Sequence, residues 1–564
     1  MIPFAQFAPD LSDYNAAYTS VAQNTLPRAD GYGPFPSFSL YSSALPSGNR
    51  GYFYARKSDG TVVIFAGTST DLLRMDNTTF TWVPVSKVTA LTSISNASPA
   101  VFTLTSHGLS INDAIVLSTS GALPTGLTVG TIYYVISAGF TANAFQVSTS
   151  LGGAAVNTSS AGSGTHSFTA HYTALSASDQ WQFAQFGNFV FAVQANIVPQ
   201  VYDLSSSSQF ADLGGSPPQA SYISVVGRFL VLSGLLSNPY RIHWSGLNAT
   251  TTWTSGTNQS DFQDLPDGGL VRGVAGGEVG LIMQDGAIRR MTYTPGSPTI
   301  FQIDRITEDH GLFGPYSIIR SGDRIFYYSG SGFFELFPTG RPKPIGKERV
   351  DRTFEDDLDT SSLHLFIGVA APKSSRVFWA YKSISGLTGL FDKLLCYDWA
   401  LERWSQVLLS GKYIASLSRP GITLEGLDSV FASIDDMTIS LDDFATGAVP
   451  ELSTMNSDSK LGFLTGTPLE ATLETSEQGI EGRRVMVNGF RPVTDAPNIY
   501  GQVSYRENLQ DSRSWTSEVQ INARGVIPAR RSSRHSRGRI RIPAGTAWTF
   551  ASGIEPVAKG LGTR

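Results

Sequence analysis

Ser374-Ser375-Arg376-Val377-Phe378-Trp379-Ala380-Tyr381 is a tight turn followed by an apolar run, and the next run, Leu395-Cys396-Tyr397-Asp398, is followed by Trp404 six residues past its aspartate. Runs this short, apolar and rich in aromatic residues, read as strands rather than helices. The aspartate opens a hairpin turn, and the returning strand carries an aromatic to bury against the next unit. Leu73-Arg74-Met75-Asp76 with Trp82 repeats the pattern after Asp59-Gly60 and Val62-Val63-Ile64-Phe65, and Tyr202-Asp203 with Phe210 is a looser copy. Gly187-Asn188, Gly227-Arg228, Gly276-Gly277 and Gly322-Asp323 each precede a further apolar run.

The later turns recur about 40 to 53 residues apart. Four short strands in a unit of that length are the mark of a propeller blade. The expected fold is therefore all-β: a β-propeller of six to eight blades. Only the first interval breaks the rhythm, since Gly60 and Asn188 are 128 positions apart. Its surplus is rich in Ser, Thr, Ala and Gly and nearly free of charge, and alternating runs such as Ala114-Ile115-Val116-Leu117 and Thr131-Ile132-Tyr133-Tyr134-Val135 make it a small β domain inserted in a propeller loop.

Outward from the repeat, residues 1–48 are rich in Pro and aromatics and read as an extended docking arm. Residues 49–86 are the first blade, 87–172 the insert and 173–447 the rest of the propeller. After Gly447 the repeat stops, and Leu469-Glu470-Ala471-Thr472-Leu473-Glu474 opens a new alternation, so 448–564 is expected to be a β-sandwich.

Composition agrees with this class. Of 564 residues, 15% are charged and 56 are glycine, a mixture that favours strands and turns. With 41 Lys+Arg against 46 Asp+Glu the net charge is −5, which argues against a protein that wraps duplex DNA. The start of the chain has no signal-peptide pattern and no stretch is long and apolar enough for a membrane-spanning helix. The single cysteine, Cys396, excludes an intrachain disulfide and suits cytosolic synthesis.

Catalytic patterns are missing. The seven histidines are scattered without metal-ligand spacing, and the Gly340 to Lys347 stretch has the wrong spacing and two prolines for a phosphate loop. No nucleophile elbow is found, so neither catalytic residues, metal nor cofactor is expected. Two acidic clusters stand out: Glu355, Asp356, Asp357 and Asp359 in one connection, and Asp435 and Asp436 in another. Such loops solubilise a surface, or form a channel wall past which a DNA duplex slides without sticking. The run from Arg524 to Arg541 is the concentrated basic patch; its arginines blunt edge strands, receive an acidic protein, or touch nucleic acid.

Three stretches carry a resemblance. Phe7-Ala8-Pro9-Asp10 and Asn24-Thr25-Leu26-Pro27-Arg28-Ala29-Asp30-Gly31-Tyr32-Gly33-Pro34-Phe35-Pro36 resemble the N-terminus of virion structural proteins of tailed phages. Gly311-Leu312-Phe313-Gly314-Pro315-Tyr316-Ser317, Gly332-Phe333-Phe334-Glu335 and Pro344-Ile345-Gly346-Lys347-Glu348-Arg349-Val350-Asp351 are similar to the propeller of nozzle, or packaged-DNA stabilisation, proteins of short-tailed phages. The stretch from Gly538 to Gly553 resembles their C-terminal strands.

The resemblance implies a non-enzymatic virion protein, assembled in the host cytoplasm as a homo-hexamer. It would form the tail tube below the head–tail adaptor, contact fibre or spike proteins, retain packaged DNA and pass it without sequence-specific binding. Arg28, Tyr32, Phe35, Arg530, Arg531, Arg534 and Arg537 would then serve subunit and adaptor contacts. The alternative is a receptor- or glycan-binding tail protein on a propeller scaffold, with Tyr133, Tyr134 and Phe140 of the insert offered to sugars.

Overall fold

The computed structural model describes residues 1–419, 450–479 and 483–561, which are nearly all strand and turn. Among them are six separate four-stranded sheets, and four further strands at one end of an eleven-stranded sheet. In chain order these seven units occupy residues 52–84, 182–212, 220–264, 271–307, 319–344, 367–411 and 413–468, the last completed by Pro36–Ala44 as its outermost strand.

The apolar runs are buried on both faces because alternate side chains serve different neighbours. Ile64 and Leu73 of the first unit pack with Leu417 and Met455 of the last. Val63, Phe65 and Leu72 pack instead with Val190 and Tyr202 of the second. Likewise Val377, Trp379 and Tyr381 face Phe326 and Phe333 of the fifth unit, whereas Phe378 and Ala380 face Ile414 and Leu464 of the last. Further clusters join the second unit to the third, the third to the fourth and the fourth to the fifth, so the ring closes on itself. The chain is a β-propeller.

The hairpin markers act as their chemistry requires. Asp76 accepts from the amides of Thr78 and Thr79 at 2.8 and 2.9 Å, and Asp398 accepts from those of Ala400 and Leu401. Trp82 donates to Ser43 O of the strand Pro36–Ala44, and Trp404 to Ile345 O beyond the fifth unit.

Between the first and second units, residues 88–169 form a seven-stranded sheet around Phe102, Phe145 and Phe168. Its two edge strands, Val88–Ala90 and Ser93–Ile94, are separated in sequence only by Leu91 and Thr92, so the sheet must curl nearly shut.

Two sheets enclosing Phe490, Val503, Ile540 and Ile554 form the sandwich. One runs Ile527–Ser533, Val485–Thr494, Ala551–Gly560, Gly31–Pro34 and Thr25–Arg28. The other continues the sixth propeller unit from Arg403–Gly411 through Ala22–Gln23, Ala471–Glu474 and His535–Ile542 to Tyr500–Arg506.

Two expected boundaries change. Pro450–Met455 and Lys460–Pro468 pair with Tyr413–Ser418, so the propeller runs to residue 468 rather than 447. Their Ser- and Thr-rich sequence hides the blade pattern. Residues 1–48 are not a projecting arm: they supply the outermost strand of the seventh unit and strands to both sheets of the sandwich. Their aromatics are core residues, with Phe4, Phe7, Tyr32 and Phe35 each under 5% exposed.

Candidate functional site: axial cavity, charged surfaces and a junction

The first strand of every propeller unit borders one axial cavity of about 810 Å³, with Tyr54, Gln182, Ser224, Val274, Arg320, Val369 and Tyr413 contributed in turn. Its polar lining includes the tyrosine hydroxyls of Tyr54, Tyr222, Tyr316 and Tyr413 and as many serines, and burial pushes the Tyr413 hydroxyl up to about 12, so it stays neutral. Arg320 is the cation in the lining, which holds neither carboxylate nor imidazole among the described residues. The cavity therefore offers hydroxyls and a guanidinium for binding, without a general acid–base pair.

Glu355, Asp356, Asp357 and Asp359 do not border this cavity. The first cluster lies on the connection between the fifth and sixth units, on the helix Asp351–Asp357 and just after it. Asp357 accepts from Lys393 Nζ and Tyr381 OH at 2.7 and 2.9 Å. Asp359 is bonded to Lys382 Nζ at 2.7 Å and to Ser361, which hold its carboxyl well below the usual range. Glu355 and Asp356 remain exposed. Asp435 and Asp436 lie outside the described residues.

The arginines divide by strand: Arg530 and Arg531 lie on Ile527–Ser533, Arg534 follows it, and Arg537, Arg539 and Arg541 lie on His535–Ile542. Arg537 is 2% exposed and bonds Glu474 at 2.7 Å, Ser20 at 3.1 Å and Asp13. Arg539 joins Glu474 and lies over the Trp515 ring, and Arg541 forms a fork with Glu518 at 2.8 and 2.7 Å. These side chains are sealed within one protomer, so Arg537 is corrected from an intersubunit contact to an internal ion pair, and Tyr32 and Phe35 to core residues. Arg28 is engaged with Asp30 and Thr549 O. Arg530, Arg531 and Arg534 are exposed and have no carboxylate partner among the described residues.

Two arrangements had no linear signal. The first is a junction of the segments that carry the phage-like motifs. Asp10 accepts from the amides of Arg352 and Thr353 at 2.9 and 2.8 Å, holding the N-terminal segment to the helix after Gly346. Within this helix, desolvation pushes the Asp351 carboxyl up to about 7, with Asp10 and Glu355 adding to the effect. The Tyr32 hydroxyl accepts from Phe7 N and donates to Ala5 O, while the Tyr32 backbone pairs with Ala551. Gly31 (φ +148°) permits this approach, since a Cβ there would sit 2.2 Å from Ala551 O.

The second joins the insert to the ring. His171, on the returning connection, bonds Asp71 of the first unit through Nδ1 and Asp113 of the insert through Nε2, both at 2.7 Å. Burial disfavours its charge, but the bonds to Asp113 and Asp71 outweigh it and push the imidazole up to about 10.

Among the described residues no group of three or more His, Cys, Asp or Glu is placed to hold a metal, and no helix is long and apolar enough to cross a membrane. No protein-family model matches the chain. No curated protein matches it either. Among solved structures, it is similar to the computationally designed Ika8 protein (TM-score 0.33, 10% identity, 76% of this chain and 99% of that one). It is also similar to dihydro-heme d1 dehydrogenase NirN (TM-score 0.29, 14% identity, 64% and 61%) and to YCF48 bound to a D1 peptide (TM-score 0.24, 14% identity, 54% and 86%).

Proposed function

We propose that this protein is a structural component of a short-tailed phage tail, of the nozzle type: a hexameric tube below the head–tail adaptor that retains packaged DNA and gives it an exit. The observation that carries the reading is the junction. The motifs that resemble nozzle proteins lie hundreds of residues apart, yet Asp10 meets the helix after Gly346, and Tyr32 meets Ala551. Motifs of a shared architecture are expected to meet in this way; scattered chance likenesses are not. Continuous packing from propeller into sandwich makes the two a rigid wall element, which suits a conduit under pressure.

Within this reading Glu355 and Asp356 supply negative surface toward passing DNA, and Arg530, Arg531 and Arg534 face neighbouring subunits or the adaptor. The glycan-binding alternative loses support, because Tyr133 is 2% exposed and Phe140 packs on the insert's core. The test is electron microscopy of the purified protein with and without the cognate head–tail adaptor complex. Six-fold tubes seated on the adaptor are expected; persistent monomers or fibre-like trimers would overturn the reading.

A further inference from the structure

The strand Ala551–Gly560 has an unfinished edge. One side is paired along its length with Val485–Thr494. On the other side, Ala551 pairs with Tyr32, Gly553 with Pro3 and Ile554 with Ile2, and residues 555–560 have no neighbour among the described residues. All six are exposed. Apart from the N–H that Pro556 lacks, the backbone donors and acceptors of this row are bare, a template for another strand.

The face behind this edge is also unfinished. Ile554, Pro556 and Ala558 alternate toward the space between the two sheets, as the strand's two-residue period dictates. There they border an apolar cavity of about 260 Å³ with Ile2, Val485 and Val487, and Arg534 stands at its rim. Ile554 is buried beneath the opposite sheet, but Pro556 and Ala558 are open to solvent. The sandwich core thus runs out uncovered beside the free edge.

The chain's own first residues show how this edge is used. Ile2–Pro3 lies antiparallel on it, Phe4 N donates to Ser552 O at 2.9 Å, and Ile2 reaches the cavity. The same row continues past residue 554 with the same alternation. Charge selects the occupant: Arg530, Arg531, Arg534 and Lys559 are exposed at this end of the sheet, and the acidic residue of the free stretch, Glu555, already stands in register with Arg491.

We propose that the edge formed by residues 555–560 is a docking site for an extended acidic segment of another polypeptide. The segment adds as a strand collinear with Ile2–Pro3, places apolar side chains over Pro556 and Ala558, and turns carboxylates on its other face toward Lys559. Main-chain pairing supplies affinity and the cavity and cations supply selectivity. This inference stands on the edge geometry and does not require the nozzle reading.

The experiment titrates the full chain with a capped synthetic peptide alternating valine and glutamate, followed by fluorescence anisotropy and amide exchange. Comparison peptides replace glutamate with lysine, or interrupt the glutamate peptide with proline so that it keeps its charge but cannot pair. The glutamate peptide should bind, slow exchange at residues 555–560, and weaken as salt rises. Both comparison peptides should bind roughly tenfold more weakly or less. Ala558→Asp and Lys559→Glu, at exposed positions that should leave the melting temperature unchanged, should each reduce binding several-fold. Absence of binding, equal binding by the proline-interrupted peptide, or protection elsewhere in the chain would overturn the proposal.

Discussion

The insert and the N-terminal segment are both additions to the propeller, and they are built on opposite principles. The insert has its own core around Phe102, Phe145 and Phe168. It leaves and rejoins the ring where Ala170 N donates to Lys87 O at 2.8 Å. The N-terminal segment has no core of its own; Phe4, Phe7 and Tyr32 lie in the cluster shared by propeller and sandwich, and Phe35 lies between the last two propeller units. One is a module attached at a point, the other a thread sewn through two domains. A module can be removed without disturbing what it stands on, whereas a thread cannot.

Deleting residues 1–48 should have the largest effect. It strips the outermost strand from the seventh unit and opens both sandwich sheets, so the product should be insoluble or lack a cooperative thermal transition; a soluble variant melting near the parent would break the comparison. Next comes Arg537→Ala, which leaves Glu474 and Asp13 buried beside a void at a cost of about 3 to 5 kcal/mol. Chemical denaturation should report it, and Arg537→Met, which keeps the volume, should not restore it.

Replacing residues 88–169 with a short Gly/Ser linker, which keeps Tyr172 in the core between the first two units, should be tolerated, because Lys87 and Ala170 lie one strand spacing apart, about 5 Å. The melting temperature of the remainder should move by no more than a few degrees, and loss of the fold would show that the insert is also part of the weave.

The smallest effect concerns the His171 bridge. Its raised pKa means that the stabilisation is fully present below the unfolded value near 6.5 and is lost as pH rises through about 10. Limited proteolysis of the connections to the insert should be faster at pH 10.5 than at pH 8 in the parent, and His171→Gln should be cut quickly at both. An unchanged difference in the variant would remove the bridge from the account.

Much of the propeller is legible in sequence because its hairpins are local. Asp76 with Trp82 and Asp398 with Trp404 announce a turn and a buried aromatic within six positions, and Val62-Val63-Ile64-Phe65 announces a strand. The surface roles were less legible. The run from Arg524 to Arg541 looks uniform in sequence, but its division between two strands and the cover supplied by Asp13 and Glu474 separate buried Arg537 from exposed Arg530, Arg531 and Arg534.

By itself, then, the sequence determined the strand-and-turn repeat and the place of the surplus segment, both set by side chains within a few positions of one another. The tertiary structure alone decided that Pro36–Ala44 completes the unit begun at Tyr413, that His171 spans Asp71 and Asp113, and that Asp13 neutralises Arg537 from the other end of the chain. Those pairings join residues dozens to hundreds of positions apart. Ring closure and the continuous core bring them together, and no local pattern encodes a partner that only the closed fold supplies.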